Sequence, residues 1–249
     1  MAGHSKFKNI MHRKGAQDAR RAKIFAKLAR EITVAAKIGG EEPAMNARLR
    51  SAVAAAKAQN MPNENIQRAV SKAIGGGEGT DFAEVRYEGY GPKGIAVIVE
   101  ALTDNRNRTA SEIRSIFSKF GGALGETGSV SFLFDRIGVV SYRLDIASDE
   151  EMFDASIELG ARDLEHNNNN HEIICNADNF SKLRDGLEKI FGVAESTNLE
   201  WRAQNLVSIE EEEAAIIAMK FVETLDDNDD VQQVSINLEI DDHMIELFS

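Results

Sequence analysis

Apolar residues recur at helical spacing between residues 17 and 74 of the chain. Between 17 and 38, apolar side chains at every third or fourth position share one face, which predicts a helix that ends at Gly39-Gly40. Two shorter, alanine-rich helices are predicted after it, one beginning at Glu41-Glu42-Pro43 and one capped by Asn63 and ending at a run of glycines. Because each helix is short, the three together bury only a small core.

Beyond the glycine run, apolar residues alternate at every second position in short stretches, which predicts β-strands between further helices. The middle stretch is a complete β-α-β-β-α-β unit, whereas the β-α-β unit on each side of it leaves one face of its sheet uncovered. The predicted strands are 85–90, 94–102, 130–134, 137–144, 163–166, 172–175, 194–201, 206–208 and 231–240, and the predicted helices are 107–120, 149–159, 179–191 and 210–225.

Joining the two incomplete units gives a second β-α-β-β-α-β sandwich, with the complete unit inserted between its halves. We therefore predict an α+β protein in which a small all-α N-terminal domain precedes two ferredoxin-like α/β sandwich domains, one inserted in the other. The alternative is three sequential units with no nesting, and pairing between strands 94–102 and 231–240 distinguishes the two. The predicted domains are 1–79, 80–135 plus 203–249, and the inserted 136–202.

Charge is distributed unevenly along this pattern. Residues 1–37 hold ten Lys plus Arg against two acids, whereas the whole chain has a formal net charge of −12. Residues 1–15 show no period and are interpreted as a basic arm, and the first helix carries a basic stripe opposite its apolar face. Such a segment favours a polyanion as partner, so we expect nucleic acid. The candidate phosphate-binding residues are Lys6, Lys8, His12, Arg13, Lys14, Arg20, Arg21, Lys23, Lys27, Arg30 and Lys37.

A second candidate site is the polar segment 103–109, at the end of a predicted strand and the start of a helix. Asn105, Arg106, Arg108 and Thr109 form a candidate partner- or anion-binding loop there, since a helix N-terminus attracts negative charge. A capped helix start with no ligand is an equally good interpretation, with Asn107 or Thr109 as the cap.

Other polar and aromatic clusters are interpreted as structural. His166 and His171 flank a turn of four asparagines, and with no carboxylate or cysteine frame we expect a turn and no metal. Phe132 and Phe134 are expected in the core, and the acids between 226 and 230 in a solvated loop.

The sequence shows no catalytic constellation, so we expect a protein that is not an enzyme and needs no cofactor. Cys175 is the single cysteine, which excludes an intramolecular disulfide, and no apolar run approaches the length of a membrane helix. These features lead us to expect a cytoplasmic protein without a membrane partner.

Short motifs are spread along the whole chain. They are Ala2-Gly3-His4-Ser5-Lys6, residues 12–18 (HRKGAQD), 61–66, 88–92, 105–109 and 125–132. Together they resemble the motifs of the YebC/PmpR family. Phe7 stands where that family usually has tryptophan, and Met11 where it often has lysine.

The resemblance implies a helical N-terminal domain, two α/β domains and a non-enzymatic role in gene expression. Members are described as DNA-binding transcriptional regulators, and others, including mitochondrial relatives, as translation factors that assist the ribosome through difficult sequences such as consecutive prolines. The implied partners are therefore DNA or ribosomal RNA, with transcription or ribosomal proteins beside them. A third hypothesis, from the residues alone, is a ligand-sensing ferredoxin-like protein with an incidental basic tail.

Overall fold

The computed structural model describes residues 17–75, 81–167 and 169–239, with side chains from Arg21 onward. It confirms the α+β fold class, since N-terminal helices precede antiparallel sheets that are covered by helices. No helix in these ranges is long and apolar enough to cross a membrane. The N-terminal helices are α1 (Gln17–Gly39), α2 (Ala47–Ala58) and α3 (Asn63–Ile74).

Helix α2 begins later than the sequence predicted, because Asn46 and not the Glu-Glu-Pro segment starts it. The Asn46 side chain accepts a hydrogen bond from the Leu49 amide (3.0 Å), which caps the helix. Its amide nitrogen donates to the carbonyl oxygens of Ala35 and Gly40, both at 2.8 Å. One buried side chain therefore fixes both the end of α1 and the start of α2.

The elements of the first sheet and its helices are β1 (Ala83–Tyr90), β2 (Ala96–Thr103), α4 (Arg106–Lys119), β3 (Ala123–Leu124), α7 (Glu212–Asp226) and β9 (Val231–Ile236). The four strands have the order β3-β1-β2-β9. Strand β2 pairs antiparallel with β1 on one side and with β9 on the other, where Val97 lies opposite Ile236. The sheet is thus completed by a strand from beyond residues 136–202. Helices α4 and α7 bring Phe117 and Phe221 edge to face at 5.0 Å in its core.

One strand predicted for this sheet is absent, and another is present but belongs to a different sheet. Residues 131–133 form one 3₁₀ turn instead of a strand, because the Glu88 carboxylate takes the amide hydrogens of Val130 (3.1 Å) and Ser131 (2.9 Å). Phe134 is buried as expected, but Phe132 is 65% exposed, so its predicted place in the core is wrong. Near the end of the chain, β8 (Val207–Ser208) pairs in parallel with β10 (Leu238–Glu239) in a separate two-stranded sheet.

The elements of the second sheet and its helices are β4 (Phe134–Arg143), α5 (Asp149–Glu158), β5 (Asp163–His166), β6 (Asn170–Asn176), α6 (Phe180–Phe191) and β7 (Ser196–Ala203). The strands have the order β5-β6-β4-β7, which is the order of a ferredoxin-like β-α-β-β-α-β unit. A capping box between Ser148 and Glu151 starts α5. Leu183 and Leu187 of α6 are fully buried with Val140 of the sheet.

Contacts divide the described residues into two compact units. One combines 17–27, 81–135 and 201–239, and the other combines 28–75 and 136–200. The predicted division into three domains, with its boundaries near 79, 135 and 202, stays a prediction.

Candidate nucleic-acid interface

The predicted phosphate-binding residues fall into two groups. Lys6, Lys8, His12, Arg13 and Lys14 lie outside the described residues, and Arg20 lies on α1 with its side chain outside them. The second group is Arg21, Lys23, Lys27, Arg30 and Lys37, all on α1. Their role in binding stays a prediction, but the structure shows how exposed each side chain is and what Arg21, Lys23 and Lys27 contact.

Lys23 and Lys27 contact acids at the end of helix α7. Lys27 Nζ lies 2.9 Å from the Asp226 carboxylate and 2.7 Å from the carbonyl oxygen of the same residue. Lys23 Nζ lies 2.7 Å from Asp227 Oδ1. A helix C-terminus carries partial negative charge, which strengthens its attraction for a lysine. These two lysines therefore already have anionic partners, and we call the four residues the lysine–aspartate clasp.

The other cations of α1 have different surroundings. Arg21 is exposed, and its guanidinium carbon lies 5.2 Å above the ring of Phe25. Lys37 is exposed in the last turn of the helix, whereas Arg30 is partly buried. Val34, which by helical spacing lies between Arg30 and Lys37 on the basic stripe, is 4% exposed. The stripe is thus not a uniform cationic surface in this structure.

The clasp makes a testable prediction about nucleic-acid affinity. Changing Asp226→Asn together with Asp227→Asn removes the acids that compete for Lys23 and Lys27. We expect tighter binding of a nucleic-acid duplex, with a dependence of log K on log salt that is steeper by up to about 2, since each new phosphate contact adds about 0.9. Fluorescence anisotropy at several salt concentrations measures both quantities.

A matched control separates the clasp from the overall charge. Asp154→Asn with Glu158→Gln changes the net charge equally, at exposed positions of α5. An equal gain in affinity in this control would show that the clasp has no specific effect. Reversing the lysines to glutamate is a poorer test, because it would place carboxylates against Asp226 and Asp227.

The candidate anion loop surrounds an anion of the protein itself. Asn105 caps α4 by accepting a hydrogen bond from the Arg108 amide at 3.1 Å. Arg108 Nη2 donates to Asp230 Oδ2 at 2.7 Å, and the hydroxyl oxygens of Thr103 and Thr109 lie 3.0 and 2.6 Å from the same atom. The side chains of Arg108, Thr103 and Thr109 thus converge on the Asp230 carboxylate. Arg106, the remaining candidate, is exposed.

The sequence pattern predicted that Asp230 lies in a solvated loop, and this prediction is wrong. It is 3% exposed. Burial alone would raise its pKa, but the hydrogen bonds from Arg108, Thr109 and Thr103 and the guanidinium charge outweigh burial and hold the pKa below its ordinary value. An acid that follows several other acids in a chain gives no sign that distant side chains will enclose it.

The carboxylate of Glu88 is also buried, and it joins the family-like motif 88–92 to the motif 125–132. Burial tends to raise the pKa of Glu88, but amide hydrogens from 128–131 and the charge of Arg86 outweigh it and lower the pKa. Arg86 Nε lies 2.9 Å from Glu88 Oε1 but is poorly aligned for a hydrogen bond, so their contact is electrostatic.

The close approach of strands β1 and β3 requires glycine at position 89. At Gly89, a Cβ atom would lie 2.5 Å from the Ala123 carbonyl oxygen.

Comparison with known proteins assigns the chain to a family. The model of the TACO1/YebC protein N-terminal domain matches residues 5–76, and that of the TACO1/YebC second and third domain matches residues 82–238. Among solved structures, the crystal structure of a conserved hypothetical protein, Aq1575 from Aquifex aeolicus, is 44% identical, with a TM-score of 0.80. The alignment covers 92% of this chain and 95% of that one. The chain therefore belongs to the TACO1/YebC family, which confirms the resemblance found in its sequence motifs.

Proposed function

We propose that this protein is a non-enzymatic, DNA-binding regulator of transcription that holds phosphates through its basic N-terminal arm and first helix. The observation that carries the proposal is the concentration of ten Lys plus Arg against two acids in residues 1–37 of a chain with a net charge of −12. Membership of a family whose second and third domain model carries a transcriptional-regulator name is consistent with it. This role is a cytoplasmic one and requires no cofactor.

The mechanism in this proposal is electrostatic. The basic arm meets the phosphates first, because the remainder of the chain is acidic and is repelled. Contacts from α1 follow, and Lys23 and Lys27 exchange Asp226 and Asp227 for phosphate oxygens. Contacts of this kind give affinity and orientation but no reading of base sequence.

The second candidate function is a translation factor that binds ribosomal RNA and assists synthesis of difficult sequences such as polyproline. It is favoured by the charge of residues 81–249, which hold 35 acids against 14 Lys plus Arg. Such a surface repels nucleic acid yet complements basic ribosomal proteins. In this case the same arm and helix contact RNA, and the acidic part contacts protein.

Nuclease-resolved crosslinking in cells tests the proposal. Fragments joined to residues 1–40 are recovered and counted as DNA or ribosomal RNA, and ribosome co-sedimentation is repeated after DNase and after RNase. A predominance of DNA fragments is the expected result. Ribosomal RNA fragments, with co-sedimentation lost only after RNase, would replace the proposal by the translation role. Recovery of neither would contradict both roles and favour the ligand-sensing hypothesis.

A further inference from the structure

Two histidines and an aspartate meet beside the sheet of strands β4–β7. His166 and His171 lie directly opposite each other on β5 and β6, with ring centroids 5.1 Å apart. Asp149, the first residue of α5, places Oδ1 3.2 Å from His166 Nε2 and 3.7 Å from His171 Nδ1. The three potential ligand atoms lie within 4.8 Å of one another. The structure thus supplies the carboxylate that the sequence lacked near the two histidines.

The buried ring of His171 has one nitrogen without a hydrogen-bond partner among the described residues. Its side chain is fully buried, and Nε2 lies 3.1 Å from the Ala147 carbonyl oxygen. Because a carbonyl oxygen only accepts, Nε2 carries the hydrogen in the neutral ring, which leaves a lone pair on Nδ1. That atom has no hydrogen-bond partner among the described residues, and 3.7 Å to Asp149 is too long for one. A buried acceptor without a partner is unfavourable, and an electron-pair acceptor would satisfy it.

This arrangement is the one that a metal-binding histidine usually has. A ligating imidazole commonly donates its other ring N–H to a backbone carbonyl, which fixes the ring and directs the lone pair at the metal. The Ala147 carbonyl holds His171 in that way. The capping box of Ser148 and Glu151 fixes the helix start that carries Asp149. Two of the three ligands are therefore positioned by contacts outside the cluster.

We propose that Asp149, His166 and His171 bind one divalent transition-metal ion, Zn²⁺ by preference. Imidazole and carboxylate are common zinc ligands at about 2.0–2.2 Å, so ligand atoms around a tetrahedral ion lie about 3.3 Å apart. The two separations from Asp149 Oδ1, 3.2 and 3.7 Å, are close to this value. The two imidazole nitrogens lie within 4.8 Å of each other, and the His166 side chain, 40% exposed, can adjust to shorten that distance. Solvent fills the fourth position. The ion joins the start of α5 to the β5–β6 hairpin and stabilises this unit.

The test uses full-length protein without a histidine tag, treated with a chelator and then titrated with Zn²⁺. Calorimetry counts bound ions, and thermal unfolding measures the accompanying shift. One ion per chain and a rise in Tm of several degrees are expected. With Co²⁺ as the probe, visible d–d absorption is expected, which reports a low-coordinate site with protein ligands.

Four variants complete the experiment. His166→Gln and Asp149→Asn alter exposed side chains, so the fold is retained, and both are expected to lose the binding, the Tm shift and the Co²⁺ spectrum. Asp154→Asn on α5 and a His4→Gln, His12→Gln double variant of the arm are expected to keep all three. The proposal is overturned if the unaltered protein binds no ion stoichiometrically, if His166→Gln binds as the unaltered protein does, or if the arm variant loses the ion.

Discussion

Replacing Asp230 with alanine is expected to lower the free energy of unfolding by about 3 kcal/mol, because a buried charged acceptor would be removed from its donors. The hydroxyl groups of Thr103 and Thr109 are fully buried and converge on this carboxylate. Arg108 adds a charged hydrogen bond at 2.7 Å. Asp230→Asn keeps the shape and an acceptor oxygen, so it is expected to cost less than the alanine change.

The contribution of Asp230 also depends on pH. Its pKa is lowered in the folded protein, so the unfolded chain binds this proton more readily than the native one. The stabilisation is therefore complete above the ordinary aspartate pKa of about 3.9 and is lost as the pH falls from there through the lower native pKa. Urea denaturation at neutral pH and between about pH 4 and 2 should show a steeper loss for the unaltered protein than for Asp230→Asn.

Asp227→Ala is the matched control for both measurements. It lies in the same acidic stretch, but its side chain is 58% exposed and its partner Lys23 is 42% exposed. Exposed ion pairs contribute about 0–1 kcal/mol, so little change is expected. If Asp230→Ala were no more destabilising than this control, the enclosed carboxylate would have no structural importance.

Neutralising the basic arm is expected to abolish nucleic-acid binding at physiological salt. The quadruple change of Lys6, Lys8, Arg13 and Lys14 to glutamine removes up to four phosphate contacts. With about 0.9 counterions released per contact on duplex DNA, the slope of log K against log salt should become shallower by about 3 to 4. The slope is more informative than the affinity at one salt concentration. It reports the number of phosphate contacts even when binding can be measured only at low salt.

A second quadruple variant removes the same charge elsewhere. Lys119, Lys182, Lys189 and Lys220 are exposed, and their change to glutamine leaves the arm intact. Its binding and salt slope are expected to match those of the unaltered protein. Equal losses in both variants would mean that total charge, and not the arm, governs binding.

Local sequence patterns predicted which segments form helices and which form strands. The predictions that failed depend on contacts with residues far away in the sequence. Strand 163–166 and the helix from Asp149 follow from alternation and capping residues nearby in the chain. The strand predicted at 130–134 failed because the Glu88 carboxylate, some forty residues earlier, takes its amide hydrogens. No periodicity in the intervening sequence reports such a contact.

The candidate sites show the same division. A count of charges identified the basic arm and helix, since charge is visible residue by residue. The pairing of Lys27 with Asp226, and the meeting of Asp149 with His171, join residues that only the folded chain brings together. Sequence reasoning could therefore name the cations but not their partners.

The pairing of β2 with β9 has a consequence for the order in which the chain is made. Strand β2 has one edge covered by β1 soon after synthesis, but the strand for its other edge begins only at Val231. The β4–β7 sheet is complete before then, since its last strand ends at Ala203. A nascent chain thus carries a finished β4–β7 sheet while β2, with its buried residues Val97–Val99, still has one unpaired edge. An unpaired edge of this kind can pair with the wrong strand. Truncation before Val231 should therefore yield a chain in which the β4–β7 sheet is folded and the unpaired edge of β2 promotes aggregation.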